Sequence, residues 1–476
     1  MSSPCQRILI TGKNISEFFK KSVHFLIFRS KNGTVYISKE RNAASPPPAR
    51  PVFPARPIDK SRPEDYNNDM DRINIPADIR GILHTLNRTH QAYLVGGCVR
   101  DCLLGRAPHD WDVTTSASPE EVMALFPGSR PLRFGTVLLP GGVEVTTFRG
   151  EEGYGDGRHP DRVAFVGTLD EDVSRRDSTV NALCADESGK VIDPAGGLAD
   201  LAAGVIRTVG DPDTRFAEDA LRMLRAVRFA ARYGWTIHPD AREAIRRQAP
   251  LCALLSGERV RAEMRELLLS PHPEYVSEYI SLGLWTALFP RKGEIDPDPF
   301  VLLSALPADF PVRLGGLLAL AGGEIAWADR LRLSRAEQTR VGDFLTAFAA
   351  SPAFGRAAWA ELLTRAGENE IRLSLKLKIL LYSTYHDPRY AQAEAQAADF
   401  ERALSQGGLV REGLAVTGGD LYAIGLRGAA ISRALTALHA HVLAHPEDQT
   451  KERLLALARE WAADKAARKA DEQEET

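Results

Sequence analysis

The chain is poor in cysteine, has no long apolar run and carries almost no excess charge, and each shortage excludes something. Five cysteines in 476 residues (Cys5, Cys98, Cys102, Cys184 and Cys252) show neither the density of a disulfide scaffold nor the paired spacing of a zinc site. Cys98 and Cys102 are four apart, on one face of a helix, and read as buried thiols of a protein from a reducing cytoplasm. No apolar stretch reaches the ~20 residues that cross a bilayer, so no membrane partner is expected. A formal net charge of −3 excludes a polyelectrolyte that grips nucleic acid with its whole surface, and any such contact must come from local basic patches. Also missing is a Gly-x-Gly-x-x-Gly after the first strong strand, which removes the dinucleotide-binding reading. Hydrophobic residues at 44% and charged residues at 26% are those of a soluble globular protein long enough for several domains.

What is there begins with Leu94-Val95-Gly96-Gly97-Cys98-Val99-Arg100-Asp101, which continues to Asp110-Trp111-Asp112. The apolar run from Ala92 to Val95 reads as a buried strand. Gly96 and Gly97 then sit at a strand-to-helix junction, where backbone N–H groups can approach a phosphate closely. Side chains alternate along a strand, so Asp110 and Asp112 project from one face while Trp111 and Val113 take the other. Two anions held side by side call for a divalent cation. Further on, Val143 to Arg149 alternates like a strand, and Glu144 is open to two readings: a third acid of the same site or a solvent-facing glutamate. Gly153 to Pro160 holds four chain-breaking residues in eight and reads as a mobile loop.

These blocks resemble the signature of the class II tRNA nucleotidyltransferases and the related bacterial poly(A) polymerases, within the DNA polymerase beta superfamily. The next block, Arg175-Arg176-Asp177-Ser178-Thr179-Val180-Asn181-Ala182, is similar to the family's Arg-Arg-Asp-Phe-Thr-Ile-Asn-Ala, with Ser178 where relatives carry Phe and Val180 where they carry Ile. The resemblance implies that Asp177 accepts hydrogen bonds from the ribose, that Arg176 holds phosphate, and that Asn181 belongs to the same nucleotide site. Gly96, Gly97 and Arg100 would lie along the triphosphate. Looser packing is expected around Ser178. Standing alone, Arg-Arg-Asp would be a solvated helix start.

Glu218-Asp219-Ala220-Leu221-Arg222 completes the family's Glu-Asp-x-x-Arg motif. On a helix Asp219 and Arg222 share a face. For an anonymous helix this is an ordinary ion pair; in the family it reads a base. Cytosine and adenine both offer an exocyclic amine beside a ring-nitrogen acceptor, so carboxylate and guanidinium match them. Uracil and guanine put a carbonyl oxygen in place of the amine, and an unmatched buried polar pair costs roughly 1–3 kcal/mol. The same helix carries an apolar stripe of Leu221, Leu224, Val227 and Ala231 beside a basic stripe of Arg222, Arg225, Arg228 and Arg232 that can meet phosphate. Glu258, Arg259 and Glu263 resemble residues that support the base-reading helix.

The fold expected is an α/β head, polymerase-beta-like with a mixed sheet, followed by all-α neck, body and tail. Residues 1–69, basic and proline-rich, read as a structureless extension or linker, with Met70 as the family-like start and a transit peptide as the competing reading. The head is expected over 70–200, the neck over 201–270, a helical body over 271–400, a tRNA-binding tail over 401–460 and a charged end over 461–476. Some relatives carry a metal-dependent phosphohydrolase domain in the body. Here His272 is followed by no histidine until His386-Asp387-Pro388, which reads as a turn, and Leu314 to Leu320 reads as core. The activity implied is template-independent addition of CMP and AMP from CTP and ATP to tRNA 3′ ends in the cytoplasm, with Mg²⁺ held by Asp110 and Asp112. A loop at 153–160 is shared with relatives that add the terminal A. Alternatives are A-only addition, poly(A) synthesis and a non-catalytic RNA-binding relative. The sequence assigns no oligomeric state.

Overall fold

A computed structural model of the chain describes residues 72–152, 162–289, 295–322 and 325–461, and two strands ahead of them. Those strands, β1 (Phe25–Arg29) and β2 (Val35–Lys39), pair antiparallel with Phe25 opposite Lys39. The composition of residues 1–69 predicts no structure, so this hairpin is a departure. Its signal is two runs of β-branched and aromatic residues, Phe25–Arg29 and Val35–Lys39.

The head is built on β3 (Ala92–Val95), β4 (Asp112–Thr115), β5 (Arg130–Pro131), β6 (Thr136–Leu138) and β7 (Glu144–Thr147). The separate pair β8 (Arg149–Glu152) and β9 (Arg162–Phe165) follows, then β10 (Cys184–Ala185) and β11 (Val191–Ile192). The main sheet has the order β11-β10-β3-β4-β7-β6-β5. It is mixed: β4 and β7 run parallel and the other neighbours antiparallel. The parallel pair sets the site, because its register puts Asp112 beside Glu144.

The rest of the described chain is mainly helical. The neck contains the helices Pro212–Glu218, Leu221–Tyr233, Pro239–Gln248 and Gly257–Leu269. A short parallel pair, β12 (Val205–Ile206) with β13 (Thr236–Ile237), ties the start of the neck to the segment after the helix Leu221–Tyr233. The expected apolar stripe of Leu221, Leu224, Val227 and Ala231 is buried. One apolar core runs from Ile73 in the head through Met264 in the neck to Leu377 in the body, without a break near residues 200 or 270. In the body, Phe310–Leu320 is a core helix. Its Gly315 and Gly316 admit close neighbours: a Cβ at either position would meet Phe344 at 2.8 Å or Leu306 at 2.6 Å. His386 lies in a turn after the helix Glu368–Thr384, and Asp387 pairs there with Arg389 at 2.6 Å, not with a histidine. The tail has its own small core between Leu414 and Ala458.

Candidate active site

The site is assembled from three places where the chain changes direction. At the first, β4 opens with Asp112, half-buried, while Asp110 and Glu144 are exposed. Asp110 precedes the strand, so strand alternation does not position it; the turn leading into β4 does. Burial, together with the charges of Asp110 and Glu144, pushes the Asp112 carboxyl up to about 6 against the pull of Arg176. Among the described residues no three His, Cys, Asp or Glu side chains are gathered so as to hold a metal ion by themselves. The carboxylates are nonetheless the oxygen donors that a hard divalent cation takes, with water and other oxygen ligands completing its shell.

The second place is the end of β3. Gly96 stands at φ 83° and ψ −127°, a conformation that a side chain strains, and a Cβ there would lie 3.3 Å from Arg176 Nη1. The helix Gly97–Leu103 starts at once, with no side-chain cap. It buries Arg100, whose Nη1 donates to Asn181 Oδ1 and whose Nε donates to Asp101 Oδ1 at 3.0 Å.

At the third, the chain turns through Arg175-Arg176-Asp177 after the helix Leu169–Ser174. Asp172, fully buried in that helix, accepts from Arg175 Nη2 at 2.7 Å, Thr114 Oγ1 at 3.1 Å and Arg176 Nη2 at 3.3 Å. It ties Arg176 to the strand that carries Asp112. Asp177 accepts from Arg225 Nε at 2.7 Å and Asn181 Nδ2 at 3.0 Å. Burial raises its proton affinity, but Arg225, Asn181 and Arg222 overrule burial and hold the carboxyl far below the usual range. Ser178, in place of the bulky Phe expected from the resemblance, is buried with its hydroxyl 3.3 Å from Asp177 Oδ1. Its small side chain helps line a narrow cleft shared with Asp177, Arg222 and Arg225.

Asp219 and Arg222 differ from their expected geometry. Asp219 is not helical: at φ −145° and ψ 105° it ends the helix Pro212–Glu218, and the next helix begins at Leu221. Its Oδ1 accepts from the Leu221 N–H at 3.0 Å and its Oδ2 from Arg259 Nη2 at 2.7 Å. Arg222 pairs instead with Glu218 at 2.5 Å, and its Nη2 donates to the Arg175 carbonyl at 3.0 Å, docking the neck on the head. The basic stripe is not a bare patch either. Arg225 meets Asp177 at 2.6 Å, Arg228 meets Glu263 at 2.5 Å and Arg232 meets Asp101 at 3.8 Å. Arg259 and Glu263 thus support the reading helix, whereas Glu258 faces Arg332 at 3.4 Å.

Sequence reasoning passed over two residues of this network. Asp172 had a signal, its spacing of three and four from Arg175 and Arg176. Asp101, which joins Arg100 to the Tyr233 hydroxyl at 2.9 Å, had none, since its partner is 132 positions away. The loop expected at 153–160 lies outside the described residues.

Carboxylates at the start of a central strand, a glycine turn and a buried aspartate–arginine cluster make up a head of the nucleotidyltransferase class, followed by a helical segment. The Poly A polymerase head domain matches residues 92–207, and the probable RNA and SrmB-binding site of polymerase A matches 234–292. The CCA-adding enzyme of Lactiplantibacillus plantarum is 47% identical over 208 residues, 42% of this chain and 51% of that protein. The CCA-adding enzyme of Geobacillus thermodenitrificans is 49% identical over 226 residues, 45% of this chain and 55% of that one. The chain thus spans about half the length of the curated relatives it matches. The crystal structure of the Bacillus stearothermophilus CCA-adding enzyme in complex with CTP superimposes with a TM-score of 0.63 at 32% identity, over 82% of this chain and 98% of that one. The chain belongs to the CCA-adding enzyme family. No helix among the described residues is long and apolar enough to cross a membrane.

Proposed function

We propose that this chain adds CMP and AMP, from CTP and ATP, to the 3′ ends of tRNA without a template. The observation that carries the reading is the cluster in which Asp177, Arg222 and Arg225 line one space, joined to the helix after the glycine turn through Asn181 and Arg100. A relative crystallised with CTP supports it. The reaction is an in-line displacement at the α-phosphate by the tRNA 3′-hydroxyl, with pyrophosphate leaving. Asp110 and Asp112 would hold Mg²⁺, with Glu144 beside them, and the ion when bound supplies Lewis-acid stabilisation of charge on the reacting phosphate.

This chain's own residues do the binding and orienting. Gly96 and Gly97 let the backbone lie close to the triphosphate, Arg176 neutralises it with its guanidinium, and Arg100, buried against Asp101 and Asn181, adds positive charge beneath it. Asp177, kept ionised by Arg225, accepts from the ribose hydroxyls. Asn181 fixes one Asp177 oxygen. Asp219 accepts the amine of cytosine or adenine, and Arg222 serves the ring nitrogen. Arg228 braces the helix through Glu263. Division into a head (70–200), a neck (201–270), a body (271–400) and a tRNA-binding tail (401–460) is part of the same proposal, as is a cytoplasmic site of action.

The test is extension of tRNA transcripts lacking CCA, lacking A, or complete, read at single-nucleotide resolution with CTP, ATP or both and Mg²⁺. Growth by C, C and A followed by arrest is expected. Addition of one A only to the transcript ending in CC would make it an A-adding enzyme, and unlimited A addition a poly(A) polymerase. No addition would leave a non-catalytic RNA binder.

A further inference from the structure

The arginines of the cleft are held by more than carboxylates. Phe229, buried in the helix Leu221–Tyr233 and lining the cleft, has three guanidinium groups around its ring. Arg228 lies 4.1 Å from the ring centroid, Arg225 5.4 Å and Arg100 5.5 Å. One turn further on, Tyr233 gathers Arg106 at 5.0 Å, Arg100 at 5.1 Å and Arg232 at 5.6 Å. Arg100 belongs to both rings. It comes from the helix that follows the glycine turn, so a residue of the head is inserted between two aromatics of the neck. The Tyr233 hydroxyl donates at 2.9 Å to the same Asp101 oxygen that accepts from Arg100 Nε at 3.0 Å.

Like charges so close repel, and each needs compensation. Asp101, Asp177 and Glu263 supply one carboxylate each to Arg100, Arg225 and Arg228. The ring supplies the rest: its negative face attracts guanidinium groups, and the attraction is largest where water is excluded. A leucine could fill the space without attracting a cation.

We propose that Phe229 and Tyr233 are positioning residues for the nucleotide. The two rings lock Arg100, at the triphosphate end, to Arg225 and the base-reading helix, so that one nucleoside triphosphate is held at both ends in a fixed register. This rests on the nucleotide-site reading given above. Neither ring touches the reacting atoms; both act through the arginines.

The experiment uses the full chain and the variants Phe229→Leu, Phe229→Tyr, Tyr233→Leu and Tyr233→Phe, with CTP binding by equilibrium dialysis beside steady-state extension kinetics. Phe229→Leu should weaken CTP binding and raise its KM about tenfold, the scale of lost desolvated cation–π contacts, with kcat changed less than about twofold. Phe229→Tyr, which keeps the ring, should recover most of that loss, and Tyr233→Phe should bind CTP better than Tyr233→Leu. Wild-type binding by Phe229→Leu, or an equal loss in Phe229→Tyr, overturns the proposal. If Phe229→Leu does not fold, the Tyr233 pair decides by the same comparison. A wild-type protein that binds CTP but extends no tRNA refutes the proposed reaction while the binding comparison still decides the role of the rings. Failure of the wild type to bind CTP overturns both.

Discussion

Removing Arg259 should loosen the choice of base without touching any residue that contacts one. Asp219 has two anchors, the Leu221 N–H at 3.0 Å and Arg259 Nη2 at 2.7 Å. Both side chains of the ion pair are less than a fifth exposed, at 16% for Asp219 and 18% for Arg259, so solvent screens the contact only in part. The gross attraction at that separation is about 6 kcal/mol at an effective dielectric constant of about 20, but the net worth of a hydrogen bond to a charged group is about 1.5–3 kcal/mol. Arg259→Leu leaves the carboxylate on one anchor, with extended backbone beneath it instead of a helix. Of the roughly 1–3 kcal/mol that separates a matched from a mismatched base edge, about 1.4 should be lost, which is tenfold in selectivity. The assay compares kcat/KM for CTP and UTP on a tRNA transcript lacking its last three nucleotides. A fall of about tenfold in the CTP-to-UTP ratio is expected, with Asp219→Ala as the fully relaxed reference and Arg259→Lys intermediate. A ratio within about twofold of wild type in Arg259→Leu, with Asp219→Ala collapsed, would refute the idea that Arg259 sets the carboxylate.

Gly96→Ala should weaken CTP binding at least about tenfold, because the backbone strain costs about 1–3 kcal/mol and the new methyl group crowds Arg176; undiminished affinity by calorimetry would count against the close-approach argument. Arg313, buried, donates to the Leu306, Leu268 and Ser270 carbonyls, so Arg313→Met should cost about 2–4 kcal/mol in urea unfolding, and a loss under about 0.5 would show that those carbonyls find other donors. Burial lowers Lys378 from 10.5 to about 8, its ammonium donating to the Ala350 carbonyl. Between those two values the unfolded chain holds the proton and the folded one does not, so stability rises with pH across that window, and below it the charged amine costs up to about 3 kcal/mol. Measured against Lys378→Met, wild-type stability should therefore climb between pH 8 and 10.5, whereas a flat difference would mean that the amine is solvated.

Local pattern made some of this site readable and long-range pairing hid the rest. The glycine turn, the Asp-x-Asp spacing and the Arg-Arg-Asp turn each lie within a few residues, and the backbone alone brings their parts together. The Glu-Asp-x-x-Arg motif misled for the same reason. Its spacing suits a continuous helix, but the chain breaks at Asp219, whose carboxylate accepts from the Leu221 N–H two residues on, as in an Asx turn. Asp is a common helix-start residue, so that signal was available. The partner Arg259 was not, being 40 positions away. The strands Phe25–Arg29 and Val35–Lys39 were missed differently: proline content dominated the reading of the whole segment, and two runs of β-branched and aromatic residues were averaged out with it.

The pairing of every arginine on the reading helix with a carboxylate bears on how the site discriminates. A bare stripe of four cations would attract any polyanion, and its affinity would say nothing about base or sugar. Glu218, Asp177, Glu263 and Asp101 each face one of them, with Glu218 shared with Arg215 and Asp101 with Arg100, so part of the positive charge is already paired within the protein. A nucleotide must then offer hydrogen bonds in the right places as well as charge, because its phosphates compete with carboxylates already at bonding distance. The same pairing keeps Arg222 and Arg225 in one orientation before the nucleotide arrives, which lowers the ordering cost of binding. Specificity without a template therefore depends on the acids as much as on the arginines, and neutralising Glu218 or Glu263 should loosen selection before it weakens attraction.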